Sequence, residues 1–165
     1  MKPLLAILLV AGLIQNAPTL AQSSAATTSA PSPLLGSWAV DVSRLPIPPE
    51  ARPKRVTIAF KEAGNGKWTM QVDIVDASGS ETRVEGTYAL DGSTVPLQGT
   101  IEADVGAIKK PESNVLVLAL GKGGMPASTR IYTVNPDGKS MIETAVNTAG
   151  NGLPMMRTNY FSRVE

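Results

Sequence analysis

The sequence contains no cysteine and no histidine. The first absence excludes disulfides, thiol catalysis and thiolate metal sites together. The second removes the commonest general base and would leave a zinc site with carboxylates alone. A Ser–His nucleophile is therefore impossible. The Ser–Lys alternative finds Lys139-Ser140, whose adjacent side chains point to opposite faces of a strand. Aromatics are scarce: two Trp, three Tyr and two Phe in 165 residues. Nucleic-acid binders want stacking platforms and a positive stripe, and here the longest basic run is Lys109-Lys110. No catalytic centre, metal site, cofactor or nucleic-acid partner is expected.

Long hydrophobic runs are also missing, with one exception near the start. Residues 4–14 (LLAILLVAGLI) follow Lys2 and are too short for a membrane span, which needs about 20 residues. Thr19-Leu20-Ala21 supplies small residues at −3 and −1, so residues 1–21 read as a signal peptide cleaved before Gln22. No cysteine follows that could carry a lipid. Losing Lys2 with the signal leaves basic and acidic residues equal at 14 each. A soluble periplasmic or extracellular protein without a membrane span is expected. Residues 22–33 (QSSAATTSAPSP) hold nothing to bury and read as a disordered linker. Residues 34–165 remain, enough for one domain with one core.

What this domain has is short alternating segments broken by Gly, Pro, Asn and Asp, the all-β pattern. Residues 37–42 put Trp38, Val40 and Val42 on one face. Residues 43–53 (SRLPIPPEARP) carry four prolines, which forbid helix interior and ladder pairing, so an extended loop across one barrel end is expected. Residues 54–62 alternate Val56, Ile58 and Phe60, and residues 67–76 alternate Trp68, Met70, Val72 and Ile74. The Asn65-Gly66 pair between them is a hairpin turn. In residues 81–90, Gly86 shares the apolar face with Val84 and Tyr88, where missing bulk admits a neighbour or permits a bend. Asp91-Gly92 reads as a turn, residues 95–99 with Pro96 as an edge segment, and residues 103–109 as a weak strand. Residues 114–120 are apolar on both faces. They call for cover from a folded-over loop or from a second copy, as a homodimer through 114–120. Strands at 128–135, 140–147 and 155–164 follow. The expectation is an antiparallel up-and-down β-barrel of eight to nine strands.

Three candidate sites reduce to plain structure. Glu81 and Glu85 share a polar strand face with Arg83 between them, a solvated strip rather than a glycosidase pair. Residues 76–81 lack the ligand spacing of a calcium loop. Gly121-Lys122-Gly123-Gly124 lies between strands and lacks the phosphate-loop pattern. Met70, Met125, Met141, Met155 and Met156 suit copper(I) or a mobile apolar surface, but read first as gap-filling residues.

Gly36-Ser37-Trp38, Asp91-Gly92 with Pro96 and Gly99, Asp137-Gly138-Lys139-Ser140 and the final Tyr160-x-x-Arg163 together resemble the lipocalin-like, calycin-type barrels. Among these the chain looks most like small secreted bacterial members of uncharacterised role. The Thr-Asp-Tyr motif of typical lipocalins is replaced by Thr129-Arg130-Ile131-Tyr132. The resemblance implies that Gly36 and Trp38 close the barrel floor, with Arg163, or alternatively Arg157, packed across the indole. It also implies a small hydrophobic ligand, which the apolar faces assign to Ile58, Phe60, Met70, Val72 and Tyr88. The rival expectation is an envelope protein–protein interaction module without a small ligand, and a carboxylate-based barrel enzyme is a remote third.

Overall fold

Strand β1, Gly36–Val40, joins the first half of the sheet to the last. It pairs on one side with β2, Arg55–Gly64, and on the other with the last strand, β10, Pro154–Val164. The computed structural model describes residues 30–98 and 102–164, and the barrel belongs to the compact unit Pro31–Glu165. The signal peptide expected over 1–21, and most of the linker expected over 22–33, lie outside the described residues. Ser32 and Pro33 at the end of that linker already touch the barrel: Ser32 Oγ donates to the Ser113 carbonyl, and the Pro33 carbonyl accepts from Arg163.

The remaining strands are β3 (Lys67–Val75), β4 (Glu81–Ala89), β5 (Asp91–Pro96), β6 (Val105–Glu112), β7 (Val115–Lys122), β8 (Met125–Val134) and β9 (Ser140–Thr148). They form one antiparallel sheet in the order β4-β3-β2-β1-β10-β9-β8-β7-β6-β5. Among the described residues ten strands stand where eight to nine were expected. Asp91-Gly92 is not a turn: the chain turns at Leu90 and Asp91 opens β5. The edge character read from Pro96 holds, because β5 pairs with β6 alone.

The first strand is shorter than residues 37–42. The Asp41 carboxylate accepts from the Ser43 amide, and Val42–Arg44 turn into a 3-10 helix. A second 3-10 turn, Pro49–Ala51, follows. Arg44 stacks on the Tyr160 ring at 3.3 Å and the Lys54 amide donates to the Val75 carbonyl at 2.8 Å, so residues 41–54 are tied down at both ends. Elsewhere the turns follow the sequence. Asn65 and Gly66 take positive φ of 51° and 70°, as a tight hairpin demands. Asp76 and Asp137 accept backbone amides across their turns, Gly79 and Ser80 for the first, Lys139 and Ser140 for the second.

The strand faces alternate as a single-layered barrel requires. In β7, Leu116 and Leu118 are buried inside, and Val115 and Val117 are half-buried outside. One apolar face of 114–120 is thus covered by the barrel's own interior. Tyr88 bridges β4, one end of the sheet, to β6. Its ring folds back over Gly86, where a Cβ would stand 2.6 Å from the phenol oxygen, and lies against Gly106 of β6, where a Cβ would stand 3.2 Å from the ring. The missing bulk at Gly86 admits the neighbour two residues along its own strand. Among the described residues no helix is long and apolar enough to cross a membrane.

Candidate functional site: a floored cavity with a polar wall

The interior is divided into a solid floor and an open upper half. At the floor, Trp38 is fully buried and its Nε1 donates to the Leu34 carbonyl at 2.9 Å. Arg163, its partner in the β1–β10 register, lies over the indole with Cζ 4.2 Å from the ring centroid. The guanidinium donates to the carbonyls of Pro33, Leu35 and Gly138. Gly36 makes the approach feasible: its φ is +113°, and a Cβ there would stand 2.7 Å from Arg163 Nη1. Arg157, the alternative arginine, is exposed six residues up the strand, where it lines the open upper half. Leu116, Val134, Met141 and Phe161 complete the floor, with Phe60 and Phe161 both edge-on to Tyr132.

Above the floor lies a cavity of about 380 Å³. Of the residues expected to hold a ligand, Ile58, Met70, Val72 and Tyr88 line it. Phe60 does not. It is spent on the floor against Tyr132, because the register places it level with Gly36, below the cavity. The cover is the proline-rich segment, whose Leu45, Pro46, Ile47 and Pro53 face the space. The prolines alone put that segment across one barrel end; that its apolar side chains line the space follows only from the closed fold. Of the methionines, Met70 and Met141 are buried, while Met125, Met155 and Met156 are exposed.

One wall is polar, and it was not anticipated. Register aligns Tyr132 of β8, Glu143 of β9 and Asn159 of β10 in one inward row, with Arg130 one step above Tyr132. Glu143 is only 1% exposed. Its Oε1 faces Arg130 Nη1 at 3.5 Å, and its Oε2 accepts from Asn159 Nδ2. Arg130 Nη2 also grips both oxygens of Glu102 at 2.6 Å, and Ser128 Oγ donates to Glu102 at 2.9 Å. Among the described residues Arg130 Nε and Asn159 Oδ1 are buried without a hydrogen-bond partner, and the Tyr132 hydroxyl sits beside Glu143 and Arg130 without good geometry to either.

The electrostatics follow from this packing. Burial works against the charge of Arg130, but Tyr132, Glu143 and Glu102 outweigh it and the guanidinium is held more firmly protonated than usual. Burial likewise pushes Glu102 up, yet Arg130 and Ser128 carry it below its ordinary value. Tyr132 is driven well up by burial, then by Glu143, so its phenol stays neutral. Tyr88 is raised by burial as well. The buried Glu143 carboxylate is committed to a cation and an amide.

No family model matches the sequence, and no curated protein matches it. Solved structures do resemble it. Fatty-acid-binding protein 1 of Echinococcus granulosus aligns with a TM-score of 0.53 at 14% identity, over 81% of this chain and 98% of that one. A mutant of the fluorescent protein UnaG aligns with a TM-score of 0.50 at 13% identity, over 81% and 97%. A lipocalin barrel has eight strands, and the described residues here form ten. The chain therefore has an all-β, antiparallel barrel fold like that of the Echinococcus fatty-acid-binding protein.

Proposed function

We propose that the protein is an exported carrier that binds one small, largely apolar molecule inside its barrel. The observation that supports this reading is the cavity of about 380 Å³, floored by Trp38 and roofed by the segment bearing Leu45 and Ile47. That volume falls at the lower end of small-molecule sites, about 300–1,000 Å³. The likeness to a protein named for fatty-acid binding points the same way. So does the side-chain chemistry, since the sequence has neither histidine nor cysteine and the buried glutamate is already paired. Export to the periplasm or outside the cell rests on Lys2, the apolar residues 4–14 and Thr19-Leu20-Ala21.

Titration with Nile red, an uncharged apolar dye, tests the reading. Saturable binding near one dye per chain is expected. Val72→Trp, which places an indole in the cavity, should weaken it by tenfold or more while thermal unfolding stays cooperative. Dye binding that never saturates, or that ignores Val72→Trp, would defeat the carrier proposal.

A further inference from the structure

The polar wall carries information about the head of the ligand. Wherever an arginine projects into an apolar cavity, the simplest guest is an anion, because a carboxylate would satisfy the guanidinium. Here Arg130 is already engaged by two carboxylates belonging to the chain. Glu143 faces Nη1, and Glu102 holds Nη2 through both of its oxygens. The other cation on the lining, Arg157, stands one step above Asn159 and is exposed, so solvent screens its charge. A guest carboxylate that reaches the buried wall meets the two acids instead, and desolvating it there is costly.

What the wall still offers is one acceptor and one donor without partners. Asn159 is 8% exposed and lines the cavity. Its Nδ2 donates to Glu143, and a carboxylate can only accept, so the orientation of the amide is settled and Oδ1 is the atom left over. Arg130 also lines the cavity, and its Nε is a buried donor without an acceptor. Tyr132, fully buried beside them, adds a hydroxyl that its surroundings keep neutral. One buried acceptor and one buried donor without partners are each unfavourable, and a single uncharged group carrying both functions would satisfy the two together.

We propose that the cavity selects an apolar molecule whose head is uncharged and both donates and accepts hydrogen bonds, such as a carboxamide or a hydroxyl, and discriminates against the carboxylate. This rests on the carrier reading and specifies its ligand class. The head sits against Asn159 and Arg130, and the chain lies along Ile58, Val72 and Leu118.

Displacement of Nile red by three molecules with one chain length and different heads, decanamide, decanol and decanoate, decides it at pH 7. Decanamide and decanol are expected to bind at least about tenfold more tightly than decanoate, equivalent to about 1.4 kcal/mol or more. The paired variant Glu102→Gln with Glu143→Gln leaves Arg130 without an acidic partner in the wall and should improve decanoate binding by a similar factor. Equal or tighter binding of decanoate by the unaltered protein would overturn the head-group assignment while leaving the carrier reading intact. Nonane binding as tightly as decanamide would also overturn it, by showing that the wall reads no head at all. If Nile red itself fails to saturate the protein, the carrier reading falls and takes this assignment with it.

Discussion

Arg163 lies flat over the Trp38 indole, 4.2 Å from the ring centroid, although 125 residues of chain separate them. The contact exists because β1 and β10 are register partners at these two positions, and it ties the start of the barrel to its end. Trp38→Ala should cost about 3–5 kcal/mol, the range for deleting a large buried aromatic. Arg163→Ala removes charged hydrogen bonds to three carbonyls and should cost about 2 kcal/mol or more. The double variant should fall short of the sum by about 0.5–2 kcal/mol, the scale of a cation–π pair. Urea denaturation of the four proteins measures this; a loss under about 1 kcal/mol for Trp38→Ala would remove Trp38 as the plug.

Gly86→Ala tests the seam between β4 and β6. The new methyl would collide with the Tyr88 ring, whose nearest atoms lie within 2.8 Å of the Cβ position. The ring has Gly106 on its far side and must move into the cavity or out of the wall. A destabilisation of about 1–3 kcal/mol is expected from overpacking. Weaker Nile red binding should accompany it, because Tyr88 lines the cavity. Unchanged stability and binding would show that the ring has room the structure does not give it.

The Arg130–Glu143 pair should behave as a buried ion pair does. Arg130→Ala leaves Glu143 with Asn159 as its hydrogen-bonding neighbour and should cost about 3–5 kcal/mol. Replacing both, Arg130→Met with Glu143→Leu, should cost less than Arg130→Ala alone, since the fully buried charge goes with its partner and Glu102, part-exposed, keeps Ser128 and solvent. Chemical denaturation gives both values. Equal losses for the single and double changes would mean that the acid is solvated in a way its burial does not suggest.

Acid should reveal Glu102. Its pKa is held below the ordinary 4.5, chiefly by Arg130 working against burial. A depressed folded-state value means that the unfolded chain takes up the proton first as pH falls. The stabilisation is therefore complete above 4.5 and is lost as pH drops through the lower, folded-state value. The stability difference between the unaltered protein and Glu102→Gln should shrink over that interval, in thermal melts stepped down from pH 6. Because the side chain is 41% exposed, solvent screening keeps the whole effect small. A difference that grows on acidification would reverse the sign and refute the assignment.

Much of the fold is written locally. Asn65-Gly66 and the turn at Asp76 need only their own backbone preferences, and the alternation of Ile58 and Phe60 or of Met70 and Val72 marks the strands whatever surrounds them. The four prolines of 43–53 exclude a ladder in the same local way. Trp38 and Arg163 were legible as a pair through a family resemblance, not through anything short-range. The structure adds the Gly36 φ of +113° that brings them together.

The cavity and its wall were decided by tertiary structure. Phe60 and Ile58 carry the same signal in the sequence, but register puts Phe60 in the floor and Ile58 at the cavity. Leu118 seemed equally suited to an outer contact, and closure of the sheet turned it inward. Arg130, Glu143 and Asn159 lie on three strands, 13 and 16 residues apart. β9 alternates Met141, Glu143 and Ala145 against Ile142, Thr144 and Val146, so both of its faces are mixed and local periodicity does not say that the glutamate points in. Pairing across β8, β9 and β10 settles it. A strand's side chains have a period of two but no absolute inside, and only the closed barrel supplies one.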